Sequence, residues 1–176
     1  MISLRSLSWP EDRASLIALD TSFITDRIFR LERSGNRFEL SEVAVVPAIE
    51  KSYALASDID AMPDYDWVQI AERDGEVVGV AAMTIQAWNQ RAMVEHLYVA
   101  PSARGIGIGH ALLTAAQWAA RAREARCVWV ETQPINYGAV QFYRSAGFGW
   151  CGFDTSLYDP RAVGVGEVAL FFSRDL

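Results

Sequence analysis

The chain has 176 residues, of which 51% are hydrophobic and 22% charged, and its net charge is −6. This length and composition predict a single globular domain over residues 1–176, and two cysteines without histidine ligand spacing predict neither a disulfide scaffold nor a metal site. The excess of acidic over basic residues argues against nucleic-acid binding, which needs a basic surface, and favours a cationic partner.

The first part of the chain predicts strands, one helix and an acidic loop. Met1–Arg5 lacks the charged and apolar blocks of a signal peptide, and no run reaches the roughly 18 apolar residues of a membrane span, so we expect a cytoplasmic protein that does not bind membranes. Strands are predicted over Ile2–Leu7 and, as a pair around a Gly-Asn turn, over Arg27–Val46. A proline opens a predicted helix over Pro10–Asp20. Ser57–Asp66 contains four aspartates and no periodicity, which predicts an acidic loop.

The middle of the chain predicts three antiparallel strands in a meander. Residues 67–84 form two apolar-rich runs joined by Asp74-Gly75, the strongest short signal for a β-hairpin. A third strand, Met93–Val99, follows a turn at Asn89-Gln90 and ends before Pro101, because proline cannot extend the hydrogen-bond ladder.

The C-terminal half alternates helices and strands, which predicts an α/β (α+β) fold. Apolar residues recur at helical spacing over 107–122, and a short β-rich strand follows over Arg126–Thr132. A second helix is predicted over Gly138–Ala146, closed by Gly147, and a final strand over Gly166–Ser173.

The run Arg-Gly-Ile-Gly-Ile-Gly at 104–109 lies between a strand and a helix. The helix start presents unpaired N–H groups and the positive end of its dipole, the glycines allow close approach, and Arg104 adds charge. These features favour binding of an anion such as a pyrophosphate, and the alternative is a purely structural turn. The spacing matches neither the dinucleotide G-x-G-x-x-G pattern nor a Walker loop, which needs Gly-Lys-Ser/Thr.

Two segments of this half resemble the acetyl-CoA motifs of the GNAT superfamily of N-acetyltransferases. The first is Arg104-x-x-Gly107-x-Gly109, preceded by Leu97-Tyr-Val-Ala-Pro101 and followed by Leu112-Leu113. The second runs from Asn136 through Phe142-Tyr143 to Gly147-Phe148. The resemblance implies the GNAT fold, a mixed, mostly antiparallel central sheet flanked by helices and splayed at the acetyl-CoA site.

The resemblance also implies how acetyl-CoA is held. Main-chain groups of the motif strand and the side chain of Asn136 would bond the pantetheine arm, and the glycine-rich run would bind the pyrophosphate. The residues implied to bind the cofactor are Leu97, Tyr98, Val99, Arg104, Gly105, Ile106, Gly107, Ile108, Gly109, His110, Asn136 and Tyr143.

Acetylation of an amine needs a base near the attacking nitrogen and an acid near the departing sulfur. Glu95 is the candidate base, because burial in an apolar strand would raise its pKa toward a working range. Tyr143 corresponds to the tyrosine with which many GNAT enzymes protonate the thiolate. The alternatives are a solvated or salt-bridged Glu95, a Tyr143 that only packs on the sheet, and catalysis mainly by positioning.

The resemblance to the streptothricin (nourseothricin) acetyltransferases runs through nearly the whole chain, outside the cofactor motifs as well. The segments that carry it are 18–26, 38–43, 88–89, 131–133 and 154–158. It implies acetylation of a β-lysine amine of a polycationic antibiotic, which confers resistance. The candidate substrate-binding residues are Asp26, Asp66, Trp88, Glu131 and Asp154.

Two departures from that family leave other acceptors open. His96 stands where those enzymes usually carry Asp, and the acidic stretch at 57–66 is shorter here. The alternatives are acetylation of another polyamine or amino metabolite, acetylation of protein amines, and a non-catalytic domain that binds acyl-CoA. The apolar strand Glu167–Phe172 would allow a homodimer.

Overall fold

A computed structural model describes residues 1–159, 161, 163–164 and 167–176 of the chain. These residues divide into two compact units. The first comprises Met1–Ser22, Ser52–Trp129 and Asp175–Leu176, and the second Phe23–Lys51 and Val130–Arg174. That residues 1–176 act as a single catalytic domain remains a prediction from the sequence, which this division into two compact units does not test.

The described part of the chain forms nine strands and three α-helices. The strands are β1 (Ile2–Ser6), β2 (Phe23–Ser34), β3 (Arg37–Lys51), β4 (Trp67–Arg73), β5 (Glu76–Gln86), β6 (Arg91–Val99), β7 (Cys127–Thr132), β8 (Gly149–Asp154) and β9 (Ala169–Asp175). The α-helices are α1 (Arg13–Ile17), α2 (Ile108–Arg121) and α3 (Tyr137–Ser145), and shorter 3₁₀ helices lie at Leu55–Ser57, Ile59–Asp64 and Pro101–Ala103. None of these helices is long and apolar enough to cross a membrane.

In the first unit four strands follow the order β1-β4-β5-β6, each antiparallel to its neighbour. The predicted meander is therefore confirmed. Its first turn places Asp74 and Gly75 at φ 55° and 88°, the left-handed conformation that an Asp-Gly hairpin turn requires. Gly79 of β5 allows close pairing with β6, since a Cβ there would lie 2.9 Å from the carbonyl oxygen of Tyr98.

Two apolar clusters stabilise this unit. Helix α2 contributes Ile108 and Leu112 to one cluster, which also contains Ala81 of β5. The other contains Ala82 of β5 and Leu16 of α1, so neighbouring residues of β5 alternate between the two clusters, as the period of a strand requires. The structure gives α1 five residues, fewer than the predicted helix over 10–20.

The prediction of an irregular acidic loop over 57–66 is wrong. The segment contains the whole 3₁₀ helix Ile59–Asp64 and the last residue of the one at Leu55–Ser57, and the side chains of Ile59 and Met62 are almost fully buried. These two residues are three apart, which matches one turn of a 3₁₀ helix and is too short to register as α-helical periodicity. The four aspartates are thus carried by a segment that is packed into the core.

The second unit contains strands in the order β7-β9-β8 and the long hairpin of β2 and β3, and the boundary between the units falls within β7. The hairpin, β7 and α3 confirm the predicted elements, and Gly147 ends α3 at φ 83°. Strand β8 was not predicted, because glycine and aromatic residues hide its alternation. The final strand begins at Ala169, while the predicted start at Gly166 lies outside the described residues.

Candidate active site

The glycine-rich run of the first unit forms the connection between β6 and α2. Gly105 and Gly107 have φ values of 78° and 92°, a region that other residues adopt only with strain. Gly107 caps α2, and a Cβ at either glycine would point into open space. The backbone geometry therefore explains why glycine occupies both positions.

The start of α2 presents N–H groups for an anion. The N–H of Ala111 bonds the carbonyl of Gly107 over 3.0 Å, which begins the intrahelical ladder. The N–H groups of Ile108, Gly109 and His110 precede that ladder and lie at the positive end of the helix dipole. A phosphate group fits this arrangement.

The side chain of Arg104 is hydrogen-bonded to the end of β6, the strand that precedes the glycine-rich run. Its Nε donates a hydrogen bond of 2.8 Å to the carbonyl oxygen of Val99, and its side chain is exposed. The carboxylate of Asp20 acts electrostatically on the guanidinium. Arg104 therefore adds positive charge where β6 leads into the glycine-rich run.

A β-bulge places Glu95 on the same face of β6 as its neighbour His96. Ala82 of β5 pairs with His96 and Met83 pairs with Val94, so Glu95 is an extra residue in the ladder. The Oε1 of Glu95 accepts a hydrogen bond from the hydroxyl of Thr84, a residue of β5. Because Thr84 shares its face with Ala82, Glu95 and His96 lie on one face rather than on opposite ones.

The surroundings of Glu95 confirm the predicted direction of its pKa shift. Its side chain is half-buried, and this burial raises the pKa of the carboxyl, while the bond from Thr84 opposes the shift. Glu95 in turn helps burial to raise the pKa of the Tyr65 hydroxyl. The bulge therefore gathers Thr84, Glu95, His96 and Tyr65 into one polar cluster.

The remaining predicted residues of β6 lie beside this cluster. Leu97 and Val99 pack with the cluster of α2, and their backbones pair with Ala81 and Gly79 of β5. Tyr98 lies on the face of His96, and the centroids of the two rings are 5.9 Å apart.

In the second unit, Asn136 begins the second motif and Tyr143 lies inside it, on α3. The side-chain oxygen of Asn136 accepts a hydrogen bond of 3.1 Å from the N–H of Ala139 and so caps α3. Tyr143 is 6% exposed, and its ring contacts those of Phe148 and Phe172. Both residues thus have structural contacts in addition to any role toward the cofactor.

Glu131 of β7 belongs to a second polar cluster, formed by Lys51, Glu131, Gln133, Tyr158 and Glu167. The Tyr158 hydroxyl donates to Glu131, and the Nζ of Lys51 donates to Gln133 over 2.8 Å and to Glu167 over 2.7 Å. Burial raises the pKa of Glu131, and the bond from Tyr158 and the charge of Lys51 oppose that rise.

The other candidate substrate residues lie nearer the surface. Asp66 is exposed and accepts a 2.6 Å hydrogen bond from the N–H of Ile85, which ties β5 to the start of β4. Hydrogen bonds from Ser156 hold the pKa of Asp154 below its ordinary value. Asp26 is exposed, and Trp88 is 86% exposed in the turn between β5 and β6.

Three polar partners were absent from the sequence prediction of the site: Tyr65, Thr84 and Lys51. Their roles depend on the bulge in β6 and on pairings between distant parts of the chain. One signal was available for Lys51, which is the only lysine of the sequence.

Comparisons with known proteins agree with this geometry. The model of the Acetyltransferase (GNAT) family matches residues 27–148. A streptothricin acetyltransferase of Streptomyces lavendulae is 36% identical over 171 residues, covering 93% of this chain and 90% of that protein. One of Escherichia coli is 32% identical over 163 residues, covering 93% of this chain and 91% of that protein.

Two solved structures are similar over the whole chain. The crystal structure of nourseothricin acetyltransferase has a TM-score of 0.88 and 38% identity, and the match covers 99% of this chain and 98% of that one. A provisionally named streptothricin acetyltransferase from Bacillus anthracis, in complex with acetyl coenzyme A, has a TM-score of 0.84 and 27% identity and covers both chains fully.

These matches confirm the fold, the cofactor and the class of reaction. The fold is the GNAT fold, with a mostly antiparallel central sheet flanked by helices. The backbone of the glycine-rich run fits a phosphate group, because it leads into the start of α2. The chain therefore belongs to the GNAT acetyltransferase family and is an enzyme that transfers an acetyl group from acetyl-CoA.

Proposed function

We propose that this enzyme acetylates the β-lysine amine of streptothricin-type antibiotics and thereby confers resistance to them. The observation that carries the proposal is the extent of the likeness to streptothricin acetyltransferases, which reaches 93% of the chain. That likeness includes the segments outside the cofactor motifs, and acceptor choice is made in such segments. Fold alone would not support a substrate, because one fold serves many acceptors.

The charge of the protein supports a small cationic substrate. The net charge is −6, and the segment 57–66 of the first unit exposes Asp58, Asp60, Asp64 and Asp66. Asp60 pairs with Arg13 over 2.9 Å, which reduces its own contribution. The other carboxylates would attract a polycation and raise its local concentration.

The cofactor supplies an acetyl thioester. We propose that the N–H groups at the start of α2, with Arg104 and the glycine-rich run, bind its pyrophosphate. The main chain of Leu97 to Val99 and the side-chain amide nitrogen of Asn136 would bond the pantetheine arm. The capping bond uses only the oxygen of Asn136, so the amide nitrogen keeps its capacity to donate.

Glu95 is the proposed base. As the amine nitrogen forms its bond to the acetyl carbon, the carboxylate of Glu95 accepts the proton that the nitrogen gives up. Thr84 fixes the orientation of that carboxylate, and the raised pKa brings Glu95 nearer to the pKa of an effective base. Tyr143 is the proposed acid for the departing sulfur, and its burial among aromatic rings would hold the hydroxyl in place.

The remaining carboxylates are proposed to bind the acceptor. Glu131 is the strongest candidate, because its carboxylate is half-buried and oriented by Tyr158. Asp26, Asp66, Trp88 and Asp154 are the further candidates, at more exposed positions. A homodimer and a cytoplasmic location also stay proposals.

The experiment combines chemistry and protection. Purified enzyme is supplied with acetyl-CoA and streptothricin, free thiol is measured, and fragmentation mass spectrometry locates the added acetyl group. We expect one acetyl group on the β-lysine moiety and growth of a sensitive host that expresses the chain. A host that expresses Glu95→Gln at the same level serves as the control and should remain sensitive.

The proposal is overturned if the enzyme releases no thiol with streptothricin and the host gains no protection. A panel of polyamines, amino metabolites and peptide amines is assayed in parallel. Thiol release with one of these amines and none with streptothricin would assign the enzyme to that acceptor instead.

A further inference from the structure

A buried histidine in the Glu95 cluster has one ring nitrogen without a partner. His96 is 8% exposed, and its Nε2 lies 2.9 Å from the hydroxyl oxygen of Tyr65. Its Nδ1 is buried and has no hydrogen-bond partner among the residues that the structure describes. Buried polar atoms are nearly always paired, so this nitrogen calls for a partner from outside the chain.

The position of His96 suggests what that partner is. The bulge in β6 places His96 on the face that carries Glu95 and Thr84, where the proposed base meets the acceptor. An attacking amine carries N–H groups in addition to the proton that it loses. Those groups need acceptors that do not compete with Glu95 for the proton.

The neighbours of His96 favour a neutral ring whose Nδ1 is an acceptor. The groups that face it are Tyr65 and Asp58 from the segment 57–66 and Glu95 and Tyr98 from its own strand. Burial lowers the pKa of His96, and Asp58 opposes this only in part. The carboxylates of Glu95 and Asp58 both act on Tyr65, which favours a hydroxyl proton directed toward them and a lone pair directed toward Nε2–H.

We propose that His96 is a catalytic residue that contacts the acceptor: its Nδ1 accepts an N–H of the amine while Tyr65 fixes the ring through Nε2. No proton is transferred to His96 in this arrangement. The contact orients the nitrogen so that its lone pair faces the acetyl carbon and its departing proton faces Glu95. The inference rests on the proposed function only in that the acceptor is an amine.

The first test uses the wild-type enzyme. The sequence contains two histidines, His96 and His110, so a protein labelled with ¹⁵N-histidine gives a simple spectrum. It is titrated with streptothricin in the presence of CoA, which carries no acetyl group, so that no reaction takes place. We expect the Nδ1 resonance of His96 to move with saturation and its Nε2 resonance to move much less. Unchanged Nδ1 at saturation would overturn the proposal and point to a structural water.

The second test uses two variants of His96, each of which keeps a polar atom near the position of one of the two ring nitrogens. The amide of Asn reaches about as far as Nδ1, whereas that of Gln reaches about as far as Nε2. His96→Gln should therefore raise the KM for the amine about tenfold relative to His96→Asn, while the KM for acetyl-CoA stays within about twofold in both. Equal losses in the two variants would show a purely structural role.

Two controls keep the inference separate from the proposed substrate. Tyr65→Phe leaves the imidazole in place and should raise the KM for the amine only about threefold. Thiol release by the wild type with streptothricin is scored first. If it is absent, both tests are made with the amine of the panel that supports thiol release, so a wrong antibiotic and a wrong role for His96 give different results.

Discussion

Two half-buried glutamates, one in each compact unit, accept similar hydrogen bonds and differ in the charge beside them. Glu95 accepts a hydrogen bond from Thr84, and Glu131 accepts one from Tyr158. Burial raises the pKa of both carboxyls and the hydroxyl bonds oppose the rise. The difference is Lys51, whose charge also opposes the rise at Glu131.

That difference separates a residue suited to accept a proton from one suited to hold a charge. A carboxylate without a neighbouring cation gains more from protonation, and this favours a base. A carboxylate beside an ammonium group stays ionised more readily and so can bind a cationic substrate. Burial alone, which the two residues share, would not distinguish the two roles.

The largest effect that we expect is on the rate of Glu95→Gln. Gln can still accept the bond from Thr84 but cannot accept a proton, so kcat should fall about 10²- to 10⁴-fold. The kcat of the wild type should fall as the pH is lowered through the raised pKa of Glu95, and the variant should lose this acid limb. Steady-state kinetics from pH 5 to about 9 measures both effects.

Glu131→Gln is the matched control for that measurement. It should raise the KM for a cationic acceptor about tenfold, since one favourable charge is lost, and leave kcat within about threefold. If Glu131→Gln lowered kcat as much as Glu95→Gln did, the distinction between the two glutamates would be lost.

A smaller effect is expected when the cation of the second cluster is removed. Lys51 and Glu167 are 23% and 11% exposed, so Lys51→Met leaves a mostly buried carboxylate without its partner. Stability should fall by about 2 kcal/mol, less than for a fully buried pair, and the Tm by about 4–8 °C. Thermal unfolding measures the change.

Arg13→Met provides the comparison for Lys51→Met. The Arg13–Asp60 pair has a similar length of 2.9 Å, but its side chains are 45% and 77% exposed. Its loss should leave the Tm almost unchanged, because exposed ion pairs contribute little to stability. A Tm for Lys51→Met no lower than that of Arg13→Met would mean that the second cluster does not stabilise the fold.

Local signals in the sequence predicted most of the fold and one part of the site. The Asp74-Gly75 turn, the glycines at 105 and 107 and the cap at Asn136 are each specified by a few neighbouring residues. The structure places them as local chemistry requires. The segment at 57–66 was predicted wrongly, because a 3₁₀ helix gives too short an apolar pattern to recognise.

The polar clusters could not be predicted in the same way. Strict alternation along β6 would place Glu95 and His96 on opposite faces, and only the bulge brings them together. Lys51 and Glu167 are 116 residues apart in the chain. Such contacts depend on how the strands pair, and a single sequence does not show that pairing.

The smallest effect concerns stability and pH, and it tests the comparison without any activity. Because the pKa of Glu95 is raised in the folded state, the folded protein binds more protons than the unfolded one between the ordinary pKa and the raised value. Stability of the wild type should therefore fall as the pH rises through this window.

Glu95→Gln stays neutral, so its Tm should exceed that of the wild type by a few degrees at most at pH 8, and the gap should close toward about pH 4. Glu131→Gln should show the same sign, because burial raises the pKa of that carboxyl as well. A gap for Glu95→Gln of equal size at both pH values would come from packing, and the ionisation of Glu95 would then carry no cost in the folded protein.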